Sequence, residues 1–222
     1  MKNRELFSTK YVYLAGVLFA LNFLYFSAMS QNQALVNQGC NIYVEGDGLL
    51  TGDQSIYVGG DYVNLSLGLS NGRIEAVGGK IFITQDWINY AGNNVFTNIH
   101  GNDKDGVVTL GSLTNTQIIA GFNSTHFENL YVFGSRKNMA LDTEVNGRFT
   151  IDAVFDLLGN DLTIDNFQST AITYQSGFIK SESQPNYGFV HWNIGSNLGT
   201  YSVPFGSDID YPNNDLNLTL NV

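Results

Sequence analysis

The segment Ile56-Tyr57-Val58-Gly59-Gly60-Asp61-Tyr62-Val63-Asn64 returns, 25 residues later, as Ile81-Phe82-Ile83-Thr84-Gln85-Asp86-Trp87-Ile88-Asn89. Both copies read apolar, aromatic, apolar, two spacers, then Asp, aromatic, β-branched, Asn. A near-repeat at this period is the mark of a chain built from stacked units, each burying its apolar face against the next. It constrains the fold to a coil of repeated turns.

The runs around it are short and alternating, bounded by Gly, Asn and Asp, which predicts strands over 41–45, 55–58, 80–84, 107–110, 116–119, 129–133, 147–152 and 161–165. Composition agrees: Gly is abundant at 24, Pro scarce at 3, and most aromatics are Tyr and Phe, which suit pleated surfaces. Helical periodicity is absent. The expected fold is all-β, a parallel β-helix (β-solenoid) over residues 31–168, followed over 169–222 by an antiparallel β cap or the start of a second β module. The hairpin-like spacing of 171–179, 187–195 and 199–206 suggests that change, and a solenoid end needs covering.

Side chains two apart on a strand share a face. Ile42/Val44, Ile56/Val58, Ile81/Ile83, Leu130/Val132, Phe149/Ile151 and Leu162/Ile164 therefore form the inward ladder, and Tyr43, Tyr57, Phe82, Tyr131, Thr150 and Thr163 point outward. Asp61/Asp86 and Asn64/Asn89 fall where the chain is expected to leave a strand; Asx side chains hold turns there and can form ladders between copies.

Residues 1–30 read as an export signal. Lys2, Arg4 and Lys10 precede an apolar run over 11–26, and Ala28-Met29-Ser30 supplies small residues before Gln31. The chain is thus expected to be secreted or held at the cell surface. Beyond residue 30 it carries 7 basic against 19 acidic residues, a net charge near −12, which excludes nucleic acid as a partner. With the single Cys40, no intrachain disulfide can form.

Catalytic signatures are missing. His100, His126 and His191 lie far apart in sequence, no nucleophile elbow, HExxH pair or phosphate loop occurs, and the turn at 101–106 lacks hand-type calcium ligands at its first and twelfth positions. We expect no enzyme activity, cofactor or metal. The ligand face suggested by the repeat is Tyr57, Phe82, Trp87, Asp61 and Asp86, in which the two carboxylates could also act as the acid and base of a glycosidase.

Three stretches carry a family resemblance: Ile-Tyr-Val-Gly-Gly-Asp-Tyr-Val-Asn at 56–64, Gln117-Ile118-Ile119-Ala120-Gly121 followed by Phe127-Glu128-Asn129-Leu130-Tyr131-Val132, and G-F-V-x-W-x-I-G…G-T-Y-S-V-P-F-G at 188–206. Over residues 35–210 the chain resembles the N-terminal β-solenoid regions of large secreted surface proteins of gliding, Bacteroidota-type bacteria, often labelled gliding motility-associated and exported by type IX secretion. The resemblance implies a structural or adhesive segment of a longer cell-surface protein. Its implied partners are the export machinery, further modules of the same chain, and a cell-surface or extracellular polysaccharide or protein. A carbohydrate-binding or carbohydrate-cleaving β-helix is the alternative.

Overall fold

A computed structural model describes residues 34–37, 42–44, 47–51, 55–67, 70–71, 73–77, 79–93, 95–96, 106–183, 185–208 and 215–222. The expected leader at 1–30, Cys40, His100 and the turn at 101–105 lie outside them. The described residues contain strands and no helix, wound into a parallel β-solenoid of about six turns.

Two long sheets run along the axis. Sheet 1 stacks, in parallel, Ala34–Asn37, Ser55–Val58, Lys80–Ile83, Val107–Ser112, Asn129–Gly134, Phe149–Asp152 and Ile172–Tyr174. Sheet 2 stacks Ile42–Val44, Tyr62–Asn64, Trp87–Asn89, Gln117–Gly121, Lys137–Met139, Val154–Asp156 and Phe178–Lys180, then continues with Thr200–Gly206 and Asp215–Asn221. A third wall appears later as Thr125–Phe127, Thr143–Val145, Leu162–Ile164 and Val190–Trp192. The early coils instead pair Asp47–Thr51 with Arg73–Val77.

Register stacks Ile56, Ile81, Val108, Leu130, Phe149 and Ile172 in one inward column and Val58, Ile83, Leu110, Val132 and Ile151 in another, whereas Ile42–Val44 and Leu162–Ile164, expected in the same ladder, belong to sheet 2 and the third wall. Most residues of the two columns are fully buried. Each such side chain contributes roughly 1.5–3 kcal/mol on burial.

Asp61 and Asp86 fall, as expected, where the chain leaves a strand, but the residues that follow them start another one. Tyr62–Asn64 and Trp87–Asn89 are themselves strands of sheet 2, so the corner is the Gly59-Gly60-Asp61 or Thr84-Gln85-Asp86 segment between two strands. Parallel stacking also runs beyond residue 168. Ile172–Tyr174, Phe178–Lys180 and Val190–Trp192 add a further coil in register with the one before. Antiparallel pairing is confined, in this region, to Glu182–Ser183 with Asn186–Tyr187 and to Thr200–Gly206 with Asp215–Asn221.

Corners are tied between coils by Asx side chains. Asp61 Oδ1 accepts the Asp86 N–H (3.0 Å) and Asp86 Oδ1 accepts the Ile118 N–H (2.8 Å). Asn129 does the same for Arg148, Asp152 for Gln175, Asp142 for Asp161, and Asp161 for Phe189. Backbone donors that would be orphaned at a bend are thereby satisfied.

Candidate functional site

Strand pleat and parallel register together bring outward aromatics into a strip on sheet 1. Tyr57 and Phe82 face each other across adjacent strands, ring centroids 5.1 Å apart and 8° from parallel. The next strand carries Thr109 in that column and Gly111 beside it. Phe133 lies over Gly111, where an added Cβ would come within 2.5 Å of the Phe133 ring and 2.6 Å of the Phe82 ring. The two rings thus meet across a residue without a side chain, their centroids 5.9 Å apart. Tyr131 completes the strip, 5.3 Å from Phe133, and its hydroxyl donates to Asp152 Oδ2 at 3.0 Å. Burial, with the bond to Asp152 and its charge, raises the Tyr131 phenol above its ordinary pKa, keeping it a donor at neutral pH. From Tyr57 to Tyr131 the strip crosses three strand spacings, about 14 Å.

A groove of about 530 Å³ opens beside Tyr131, at the start of the sheet 1 strands. Asn129, Arg148, Thr150, Asn166 and Gln168 line it with Tyr131. Two of its amides are committed to the backbone: Asn129 Oδ1 accepts the Arg148 N–H, and Asn166 Nδ2 donates to Gly147 O. Arg148 is exposed and makes no ion pair among the described residues. The arrangement offers flat apolar rings next to hydrogen-bonding groups and one cation, a combination suited to a ligand with both apolar and hydroxylated faces.

The five residues expected to share a ligand face are divided by the fold. Tyr57 and Phe82 are on the strip. Trp87 is fully buried inside sheet 2, stacked on Tyr62 at 4.5 Å and donating its indole N–H to Thr125 Oγ1 at 2.9 Å. It is a core residue because the corner at Asp86 redirects the chain and turns the following residue inward. Asp61 and Asp86 occupy that corner, each accepting a backbone N–H from the next coil. Burial raises the Asp86 carboxyl; the Ile118 N–H opposes this and the nearby Asp61 charge adds to it. These two carboxylates are structural caps between coils, away from the strip.

Phe133 and Gly111 escaped sequence reading, since neither falls in the repeat that drew attention to Tyr57 and Phe82. The stacking of Tyr131 in the same column was visible from its alternation. The histidines also gain a relation the sequence hides: His126, Glu144, Thr163 and His191 form one column on the third wall. His126 Nδ1 is 3.6 Å from Glu144 and His191 Nε2 is 3.2 Å from Asp161, so each of these two histidines has its own carboxylate.

No protein-family model matches this chain, and comparison with curated proteins and with solved structures likewise found no match.

Proposed function

We propose that this chain is an exported, non-catalytic adhesive segment of a cell-surface protein, and that the aromatic strip of sheet 1 is where it holds an extracellular polysaccharide. The observation that carries the reading is the outward placement of Tyr57, Phe82, Phe133 and Tyr131, held together by Gly111 beneath two of the rings. Aromatic faces bury the apolar C–H face of a sugar, while the neighbouring groove supplies hydroxyl, amide and guanidinium groups to its edge. Rigid rings on a rigid sheet lose little conformational freedom on binding, which favours weak, repeated contacts along a polymer. The role of Asp61 and Asp86 as backbone caps supports the non-catalytic reading, because both lie off the strip.

Export rests on the leader-like residues 1–30, and membership among the gliding-associated surface proteins rests on the three resembling stretches. A mature N-terminus at Gln31 in the secreted or surface fraction is the expected product.

The test is retention of the chain on a panel of immobilised neutral and acidic polysaccharides, with release of reducing or unsaturated ends assayed in parallel. Retention without release is expected. Phe82→Ala, Phe133→Ala and Gly111→Val, the last displacing both rings, are expected to lower retention at least tenfold while leaving the β circular-dichroism signal in place. Release of new chain ends would establish cleavage instead, and unchanged retention in all three variants would remove the strip from the binding surface.

A further inference from the structure

Sheet 2 outlasts the other walls: among the described residues its last strand, Asp215–Asn221, has a partner on one side only. It pairs antiparallel with Thr200–Gly206, matching Leu220 to Tyr201 and Leu218 to Val203. Directly opposed residues share a sheet face. Tyr201 and Val203 are buried on the core side, so Leu218 and Leu220 continue the core face past the last coil, where they stand 57% and 53% exposed. An apolar edge strand of this kind, without a Pro or a central charge to blunt it, is a template for another strand.

The hydrogen-bond phase shows which groups are on offer. Gly199 and Val222 exchange both N–H···O bonds, at 3.2 and 3.1 Å. Bonded pairs recur every second residue in an antiparallel ladder, so the even-numbered residues of the last strand face Thr200–Gly206, and Asp215, Asn217, Thr219 and Asn221 direct their N–H and C=O outward. Pro204, which has no N–H, sits opposite Asn217 at a position where none is needed.

The outward strand is self-complementary. The run Asp-Leu-Asn-Leu-Thr-Leu-Asn at 215–221 reads with the same polar and apolar pattern in both directions from Leu218. An antiparallel copy related by a two-fold axis at Leu218 sets 217 against 219 and 215 against 221, which are the outward-directed pairs, and leaves 218 against 218 as the wide, non-bonded pair. The sheet then continues across the axis without a change of phase, and the uncovered leucine face continues with it. Asp215 meets Asn221, so no like charges oppose each other.

We propose that this edge is a homodimer interface: two copies of the chain join sheet 2 to sheet 2 through Asp215–Asn221 about a two-fold axis at Leu218. Isologous pairing of one patch with itself closes after two copies and produces no filament.

Sedimentation of the full chain across a concentration series is expected to show a monomer–dimer equilibrium that salt strengthens, because each copy carries a net charge of −10. Asn217→Pro removes an outward N–H while keeping the bonds to Thr200–Gly206, and is expected to give a monomer with unchanged circular dichroism and thermal midpoint. Leu218→Cys in a Cys40→Ser background is expected to form an intermolecular disulfide on mild oxidation, because a non-bonded antiparallel pair holds Cα atoms ~4.5 Å apart. Ser202→Cys in the same background is expected not to cross-link. A monomer at every concentration, a dimer that survives Asn217→Pro, or no cross-link through Leu218→Cys would each overturn the proposal.

Discussion

At the scale of single residues, the interior of the coil is less uniformly apolar than its ladders suggest. Trp87, fully buried, touches Tyr62, Phe96 and Phe127 and donates to Thr125. Trp87→Ala is expected to destabilise the chain by about 3–5 kcal/mol in denaturant unfolding, the usual cost of emptying a buried aromatic site. Lys137 is the opposite case: fully buried, its ammonium donates to Ser135 O at 2.6 Å, and burial holds its pKa down to about 8. Between that value and the ordinary 10.5 the unfolded chain binds more protons than the folded one, so stability rises with pH across this window. Below it the whole cost of the buried charge is present. Lys137→Met is expected to stabilise the protein at pH 7 by about 1–3 kcal/mol, with the gain shrinking toward pH 10. A variant less stable than the parent at pH 7 would show the ammonium to be held by more than its burial allows.

At the scale of strands and corners, the docking of the last hairpin depends on charge. Asp156, nearly buried, receives Arg136 at 2.7 Å and Lys180 at 3.2 Å, and Asp208, just after Thr200–Gly206, binds the same two cations. The bond to Asp208 heads the causes that raise the Lys180 pKa, and partial burial works against it. For Asp208, partial burial pulls the carboxyl up, but the bonds and charges of Lys180 and Arg136 prevail and hold it low. A depressed carboxyl stabilises above its ordinary pKa and loses that contribution as pH falls through the folded value; a raised amine stabilises below 10.5 and loses it above. Docking is therefore strongest between these limits. Because Asp208 is 40% exposed, Asp208→Asn is expected to cost under about 1 kcal/mol, seen as faster amide exchange in 200–206 with little change in the global midpoint.

Those corners and strands also show what sequence could reveal. In sheet 1 the strands from Ser55–Val58 to Phe149–Asp152 were legible because they alternate cleanly over four or more residues, and an inward Ile or Val two places from another is unambiguous; Ala34–Asn37 was not anticipated, and Ile172–Tyr174 was expected in the antiparallel end. Sheet 2 and the third wall were legible only in part, at Ile42–Val44, Gln117–Gly121 and Leu162–Ile164. Trp87–Asn89, Lys137–Met139 and Thr143–Val145 have only three residues each, too few for alternation to register, and several of their buried positions are polar: Lys137, Thr143, Asn89. Gln117 explains how that is tolerated, since its amide is fully bonded inside, to Ser112 N–H and to the carbonyls of Ile83 and Gln85. The candidate site was half legible for the same reason. Tyr57 and Phe82 lie on alternating strands, whereas the inward turn of Trp87 depends on a corner that no local pattern announces.

Across the described residues, the bonds by which Asx oxygens hold the corners share one direction. Wherever an Asx oxygen accepts a backbone N–H from another coil, the acceptor belongs to the earlier coil and the donor to the later one: Asp61 to Asp86, Asp86 to Ile118, Asn129 to Arg148, Asp142 to Asp161, Asp152 to Gln175, Asp161 to Phe189. A solenoid stacks by contacts with nearest neighbours alone, so folding can propagate along it from one end. Here the acceptor for each new coil is in place before that coil arrives. A polypeptide delivered N-terminus first through a narrow passage would fold turn by turn on the far side, and each completed corner would oppose its sliding back.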